Sequence, residues 1–238
     1  VDVFEQVLDE GLKGSIEIYD KRYTDLAVSE QFIHSLADPT FRSDRIFTVF
    51  DRHSRGIEFF IQQKQAKDFF GTVSYSYSTT TSDDPRIGRE GKTFVSEYDY
   101  PHILTVVLGK IVKGTRSWLD ESLLKYPAMV LPLSDDMEIS VRFRYSSGQP
   151  YTPEKFVTDQ QKWIGNVTWS KGDWANRSVE VNTARYPAYH RLDLQWISRY
   201  HMTGWNIVTF IAIQNLYNKD NIASYQYSSD GTIQTVHQ

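Results

Sequence analysis

Residues 137–146 read MEISVRFRYS, a run in which every second side chain is apolar. Because successive side chains of a β-strand point to opposite faces, this period of two predicts a strand with one apolar and one polar face. The apolar face carries Ile139, Val141, Phe143 and Tyr145. The polar face carries Glu138, Ser140, Arg142 and Arg144.

The same alternation recurs along the chain. It is clear in 57–63 (IEFFIQQ), 69–78 (FFGTVSYSYS) and 190–196 (HRLDLQW), which we therefore predict to be strands. Segment 205–217 is apolar on both faces for much of its length, so the pattern does not orient it. The chain is thus predicted to be all-β and antiparallel. Further predicted strands are 13–26, 102–112 and 205–217, with Val3–Leu8 as part of another.

Composition limits the classes of protein that fit. The 238 residues include 26 Lys and Arg against 30 Asp and Glu, and this net charge of −4 disfavours nucleic acid as the main partner. The absence of cysteine excludes a disulfide framework and a thiolate metal site. Apolar stretches such as 205–213 fall short of the roughly 18 residues that a membrane helix needs, which excludes a bundle of membrane helices.

Alternating strands fit two architectures, a soluble antiparallel sandwich and a transmembrane barrel. The lengths of the connections favour the barrel. Short links at 64–68 and 201–204 alternate with long ones at 27–54, 79–101 and 148–188. Outer-membrane barrels have this asymmetry, with tight periplasmic turns and long extracellular loops.

Aromatic residues near the predicted strand ends favour the same architecture, because amphipathic rings form girdles at both interfaces of a bilayer. The predicted fold is therefore an antiparallel transmembrane β-barrel, with the sandwich as the alternative. The aromatic residues are Tyr19, Tyr23, Tyr75, Tyr77, Tyr98, Tyr100, Tyr145, Tyr189, Trp205 and Tyr217.

One connection departs from this rhythm of short and long links. Residues 113–135 lie where a short turn is expected, and their apolar residues could form a short amphipathic helix that Pro127 ends. We expect an insertion packed under the barrel rim, with a helix that docks a partner as the alternative. The apolar residues are Trp118, Leu119, Leu123 and Leu124.

Six segments follow one another in an order that is typical of one receptor family. They are GIEFFIQQK (56–64), FFGTVSYSYS (69–78), YPHILTVVLG (100–109), MEISVRFRYSSGQPYTP (137–153), YPAYHRLDLQW (186–196) and IQNLYNKDNIASYQY (213–227). The most specific parts are PAYHRLD at 187–193 and QNLYNK at 214–219. Over most of its length the chain resembles the C-terminal part of the β-barrel domain of TonB-dependent outer-membrane receptors.

The resemblance implies a barrel of 22 strands that surrounds an N-terminal plug domain. Residues 1–238 are then expected to supply about seven or eight of these strands. The plug, the short segment that contacts TonB and a closing strand that ends in an aromatic residue are expected outside this chain. Because an unclosed sheet leaves both edges unpaired in lipid, we predict that the chain alone does not form a stable transporter.

The family layout also orients the strands and their faces. Strands expected to run outward are 13–26, 69–80, 137–147 and 205–217, and those expected to run inward are 55–65, 102–112 and 189–200. Loops 27–54, 79–101 and 148–188 and the tail 228–238 are then extracellular. The side chains expected to face lipid include Val73, Ile139, Val141 and Phe143, and those expected to face the lumen include Ser74, Glu138, Arg142 and Arg144.

The sequence carries no recognisable catalytic motif. It has neither a G-x-S-x-G elbow nor H-E-x-x-H, and its six histidines lack metal-ligand spacing. We therefore predict no enzymatic activity, no cofactor and no metal site. His102 and His190 both follow a strand start that contains Tyr and Pro, and we expect them to form hydrogen bonds at the rim.

The loop 148–188 is the predicted ligand-binding segment, because it is longer than a connection requires and combines aromatic rings with cations. Such a set suits a sugar or an aromatic chelate. The alternative is that these rings pack the loop against its neighbours. The candidate residues are Tyr151, Trp163, Trp169, Trp174 and Arg177.

By resemblance, the complete protein is a receptor in the outer membrane of a Gram-negative bacterium that takes up a scarce solute by TonB-dependent active transport. The solute is expected to be an iron chelate (a siderophore complex), a vitamin or a glycan fragment. The expected partners are the TonB complex, that solute, outer-membrane lipids and a surface lipoprotein. The alternatives are a passive porin-like barrel and a soluble secreted β-sandwich that binds carbohydrate.

Overall fold

The computed structural model describes most of the chain. The described residues are 2–9, 11–35, 41–66, 68–113, 135–157, 162–164, 167–169, 173–175, 180–228 and 232–237. The insertion predicted at 113–135 lies outside them, apart from its two end residues.

Almost all regular structure in the described residues is β-strand, as predicted. One short helix, α1 (Glu30–His34), begins at the N-cap Ser29. No helix among these residues is long and apolar enough to cross a membrane. In chain order the strands are β1 (Asp2–Asp9), β2 (Leu12–Ser29), β3 (Ile46–Ala66), β4 (Phe69–Asp83), β5 (Thr93–Val95), β6 (His102–Lys113), β7 (Asp136–Ser146), β8 (Pro150–Tyr151), β9 (Lys155–Val157), β10 (Lys162–Ile164), β11 (Val167–Trp169), β12 (Asp173–Ala175), β13 (Ala184–Arg185), β14 (Tyr189–Met202), β15 (Trp205–Ile213), β16 (Ile222–Tyr227) and β17 (Ile233–His237).

Nine strands form the main sheet, and all of its pairs are antiparallel. Their order is β1-β2-β3-β4-β6-β7-β14-β15, with β5 beside β4. The long strands are therefore neighbours in the sheet in the order in which they occur in the chain, as in an up-and-down barrel wall. The other described strands form two-stranded ladders, namely β8 with β13, β9 with β12, β10 with β11 and β16 with β17.

The register places residues on the two faces of the sheet as the alternation predicts. Val73, Val106 and Phe143 lie opposite one another on neighbouring strands, so they share one face. The adjacent row, Ser74, Thr105 and Arg144, shares the other face. We refer to these as the apolar face and the polar face.

Ion pairs stabilise the polar face. Asp193 lies between two guanidinium groups, with its carboxylate 3.3 Å from Arg144 Nη2 and 2.8 Å from Arg191 Nε. Arg199 Nη2 lies 2.8 Å from Glu138 Oε2. These contacts join β7 to β14 across the face that carries the charged residues.

The apolar face is exposed. Leu108 and Ile61, on β6 and β3, are 57% and 51% exposed, whereas the buried hydrophobic side chains of the described residues are only Met137 and Tyr200. A soluble domain buries its apolar face against a second layer, because large exposed apolar patches are rare in soluble monomers. The main sheet therefore does not support the sandwich alternative, and it fits a wall whose apolar face meets lipid.

Three predicted boundaries were wrong at one end of the sheet. Strands β2 and β3 extend into the predicted loop 27–54, which shortens this connection to 30–45. The alternation is interrupted there by a β-bulge, since the register shifts between Tyr23 and Leu26 and Asp25 has a φ of 56°. Strand β4 likewise continues to Asp83, and β5 lies inside the predicted loop 79–101.

The predicted tail 228–238 also contains regular structure. Strand β17 pairs with β16 through partners such as Tyr225 and Thr235, so the described part of this segment forms a hairpin. The predicted partial strand Val3–Leu8 is confirmed as β1, which pairs with β2.

Candidate functional site

The polar face is covered at one end of the sheet by its connections. We call this the long-loop end, because the connections 30–45, 84–101 and 147–188 all lie there, whereas β3–β4 and β14–β15 are joined by short turns at the opposite end. Residues 84–101 fold back onto β4: Ser96 N donates to Thr80 O at 2.9 Å, and Ser78 N donates to Pro101 O at 3.1 Å. This contact positions the side chains of 94–98 over the sheet.

A buried ion pair fixes the start of this connection. Arg86 donates from Nε to Asp84 Oδ1 at 2.8 Å and from Nη2 to Asp84 Oδ2 at 2.5 Å, and the two side chains are 3% and 0% exposed. Burial raises the pKa of Asp84, but the hydrogen bonds and positive charge of Arg86 outweigh it and hold the pKa below its usual value of 3.8. The pair is also tied to α1, since Ile87 N donates to Ile33 O at 3.0 Å.

The described part of loop 148–188 is attached to the same connection. Arg89 Nη2 lies 2.6 Å from Glu180 Oε2, and Asn182 Nδ2 donates to Val95 O at 2.7 Å. Arg185 forms an ion pair with Asp99 and also donates to the Asp99 carbonyl at 2.8 Å. Because Asp99 is nearly fully buried and accepts a hydrogen bond from the backbone N–H of Thr80, these contacts order two loops against one strand.

These loops and strands enclose a cleft of about 580 Å³ at the long-loop end, which we call the rim cleft. Its volume lies within the range of about 300–1,000 Å³ that is typical of small-molecule sites. Residues of β2, α1, β3, β4, β5 and the two loops line it. Among them are Phe32, Phe50, Arg52, Phe94, Tyr98 and Asn182.

Arg52 is the cationic residue among the described residues that line the rim cleft. Its guanidinium lies 4.6 Å from the ring centroid of Tyr98 and 5.6 Å from that of Phe50, and its Nε donates to Ser82 Oγ at 3.3 Å. Among the described residues, no carboxylate forms an ion pair with it. The arrangement presents a cation between aromatic rings, which is suited to bind an anion.

Sequence reasoning missed this cleft. Phe50 and Arg52 fall within the predicted loop 27–54, although in the structure they continue the even-numbered, polar-face positions of β3. Tyr98 reaches them only because 84–101 folds back, and no local pattern reveals that path. The one sequence signal that could have placed Phe50 and Arg52 on the polar face is the alternation of β3, continued from residue 55 towards the N-terminus.

One predicted site residue, Tyr151, lies in a cluster of tyrosines. Its ring stacks on Tyr186 at 4.4 Å and meets Tyr225 edge-on at 5.5 Å, while Tyr186 and Tyr225 lie 5.1 Å apart. Burial raises the pKa of Tyr151, and the neighbouring phenol groups of Tyr225, Tyr227 and Tyr186 raise it further. These contacts favour the packing alternative for Tyr151.

Three of the remaining predicted site residues lie on other short strands of the same loop. Trp163 and Trp169 lie on β10 and β11, where Trp163 pairs with Thr168 and Trp169 pairs with Lys162. Trp174 lies on β12, opposite Phe156 of β9. Arg177 lies outside the described residues. The binding role of this set stays a prediction.

The two predicted rim histidines form the same interaction. His102 Nδ1 lies 2.8 Å from Tyr75 OH, and His190 Nδ1 lies 2.7 Å from Tyr217 OH. His102 and Tyr77 are register partners on the apolar face, and so are His190 and Tyr145. The predicted hydrogen bonds are confirmed, and their residues form an aromatic band beside the long-loop end.

Metal ligation has no support in the described part of the chain. No group of three or more His, Asp or Glu side chains there could hold a metal ion. The ring of His53, for example, pairs with Asp20, and the ring of His201 contacts Asp136 and Asn206.

Comparison with known proteins identifies the family. A family model described as "TonB dependent receptor-like, beta-barrel" matches residues 4–216. No curated protein and no solved structure matches the chain. The proteins of this family are outer-membrane receptors and transporters of Gram-negative bacteria. Since the match covers most of the chain and agrees with its antiparallel sheet, the chain belongs to the TonB-dependent receptor-like β-barrel family.

Proposed function

We propose that this chain is the C-terminal portion of the barrel wall of a receptor that takes up a scarce solute by TonB-dependent active transport. The observation that carries the proposal is the main sheet, which exposes one apolar face and places its ion pairs on the other. In a membrane the apolar face contacts lipid and the polar face lines the lumen. The reverse orientation would place Arg142 and Arg144 in lipid, at a cost of about 2–4 kcal/mol each near the midplane.

The strand lengths support an extracellular long-loop end. A tilted strand crosses a bilayer with about 9–11 residues, whereas β2 has 18 residues and β3 has 21. The excess lies towards the long-loop end, where β2, β3 and β4 extend beyond the Tyr75–His102 pair. The rim cleft is then held outside the membrane, where a solute arrives.

The proposed mechanism is conformational and not chemical. The wall supplies a rigid polar passage, in which Asp193 joins two arginines and keeps charged groups in fixed positions. The plug domain, which we propose lies outside residues 1–238, closes this passage. TonB, driven by the proton gradient of the inner membrane, pulls on the plug and releases an iron chelate, a vitamin or a glycan fragment inward.

We also propose that the Trp-rich part of loop 148–188 contacts the solute, because aromatic platforms next to cations suit sugars and aromatic chelates. Replacement of Trp163, Trp169 and Trp174 together in the complete receptor should then reduce uptake. Unchanged uptake would restrict these residues to packing. A surface lipoprotein that covers this loop is a further proposed partner.

The experiment compares a strain that has the complete receptor with a strain that lacks it. Both are grown on limiting iron, vitamins and glycans, and solutes removed from the medium are identified by mass spectrometry. Receptor-dependent removal that stops when TonB is deleted or the proton gradient is collapsed supports the proposal. Removal that persists without TonB would instead establish a passive porin-like barrel.

A further inference from the structure

Among the described residues that line the rim cleft, Arg52 is the charged donor that a solute can reach. Arg52 is half-buried, is held by Ser82 Oγ and lies between the rings of Phe50 and Tyr98. The terminal nitrogens of a guanidinium form a planar fork that matches a carboxylate with two parallel hydrogen bonds. Glu97 also borders the cleft, but it is exposed and forms no ion pair with Arg52, so water screens its charge.

The buried serines and the amide of the cleft are already engaged. Ser82 and Ser96 are each 1% exposed, and Ser96 Oγ accepts a hydrogen bond from Tyr98 N at 3.3 Å. Asn182 uses its backbone N–H on Thr152 Oγ1 and its side-chain amide on Val95 O. A glycan needs many free donors and acceptors, which these side chains do not provide.

The walls of the cleft are aromatic. Phe50 and Phe94 lie with ring centroids 6.3 Å apart and nearly parallel planes, and Tyr98 is 60% exposed beside Arg52. Phe32 of α1 adds a further ring to the lining. Flat apolar surfaces of this kind favour a planar ring in the ligand.

We propose that the rim cleft binds solutes in which a carboxylate adjoins an aromatic ring, with Arg52 pairing the carboxylate and Phe50, Phe94 and Tyr98 contacting the ring. This inference rests on the proposed function, because it assigns a ligand chemistry to the extracellular end of the receptor. No bond forms or breaks, since the site only binds.

The test uses benzoate as the probe and the complete receptor in detergent micelles, with binding followed by saturation-transfer NMR titration. Two analogues divide the recognition into its parts: benzamide keeps the ring and loses the charge, and cyclohexanecarboxylate keeps the charge and loses the aromatic ring. We expect benzoate to bind more tightly than either. Equal binding of benzamide would overturn the role of the carboxylate, and equal binding of cyclohexanecarboxylate would overturn that of the aromatic walls.

Two variants assign the binding to Arg52. Arg52→Gln should weaken benzoate binding by at least about tenfold, because a hydrogen bond to a charged group is lost. Arg55→Gln removes the same charge from the same strand at an exposed, odd-numbered position, and it should leave the affinity unchanged. Equal affinities of wild type and Arg52→Gln, or no benzoate binding by wild type, would refute the inference.

The binding test is independent of energy coupling. It needs no TonB and no proton gradient, so a failure here leaves the uptake experiment unaffected. Heat-resistant migration of each variant on gels verifies that the barrel is folded, and Arg52→Lys provides a second variant that retains the charge. Lys offers no planar fork, so it should bind more weakly than Arg52, and wild-type affinity would contradict the paired geometry.

Discussion

Replacement of Asp84 by Asn should open the long-loop end of the sheet without unfolding the wall. The Asp84 carboxylate is fully buried and accepts hydrogen bonds from the side chain and backbone N–H of Arg86. Arg86 is itself only 3% exposed, so the variant leaves a buried cation without its counter-charge. Breaking a buried ion pair in this way costs about 3–5 kcal/mol.

This loss of stability should appear as more frequent local opening of residues 84–101 and α1. The pair anchors residues 84–101, and through the Ile87–Ile33 hydrogen bond it anchors α1 as well. When the open and closed states are in rapid equilibrium, a loss of about 3–5 kcal/mol accelerates amide exchange in these segments by roughly a hundred- to a few-thousand-fold. Strands β6 and β7 should exchange at the wild-type rate, because their hydrogen bonds are remote from the pair.

The assay is hydrogen–deuterium exchange with mass spectrometry on the complete receptor in micelles. Asp83→Asn is the matched control, since Asp83 is adjacent in sequence but exposed at the end of β4. Its exchange in 84–101 should equal that of wild type. If the two variants exchange alike in 84–101, the buried pair does not hold the rim and the reasoning fails.

Three other perturbations follow from the same contacts. In the folded protein the pKa of Asp84 lies below 3.8, so its contribution to rim stability is complete above that pH and is lost as the pH falls through the lowered pKa. Acid should therefore accelerate amide exchange of 84–101 in the wild type but not in Asp84→Asn. Equal acid responses of the two proteins would contradict this. Val141→Arg places a charge on the apolar face and should destabilise the receptor by about 2–4 kcal/mol in vesicle refolding titrations. Ser140→Arg places the same charge on the polar face and should cost far less stability. The opposite ranking would reverse the assignment of the two faces. Gly56→Ala should also lower stability in that titration, because its Cβ would lie 2.6 Å from the Tyr77 carbonyl, and unchanged stability would mean that the strands separate without cost.

The wall of this protein could be predicted from sequence, because one physical constraint acts at every position. Each residue in the membrane-spanning part of a strand faces either lipid or the lumen, so polarity alternates wherever the strand is regular. The alternation predicts Val73 and Arg144 on opposite faces of the sheet, and the register places them there. The shared strand start of His102 and His190 also predicted a common hydrogen-bonding role, and in the structure each histidine pairs with a tyrosine.

The rim could not be predicted in the same way. Beyond the membrane, a side chain can face water on either side, so the alternation weakens. The predicted strands 13–26 and 55–65 therefore stop short of the ends of β2 and β3. At the bulge around Asp25 the period shifts, which hides the continuity of β2. The rim cleft depends on contacts between residues as distant in sequence as Arg52 and Tyr98, and these arise from a fold-back that has no periodic signature.

The two sides of the rim cleft differ in how they are held, and this determines how it can respond to an occupant. Arg52 lies within a strand that is hydrogen-bonded to β2 and β4, in the same ladders that continue down into the wall. Tyr98 lies on a connection that is secured by a few contacts, such as those of Asp99 with Thr80 and Arg185. We therefore expect closure on a solute to be one-sided, with the loop that carries Tyr98 moving towards Arg52, which stays in place. A bound solute should then keep a constant height above the bilayer.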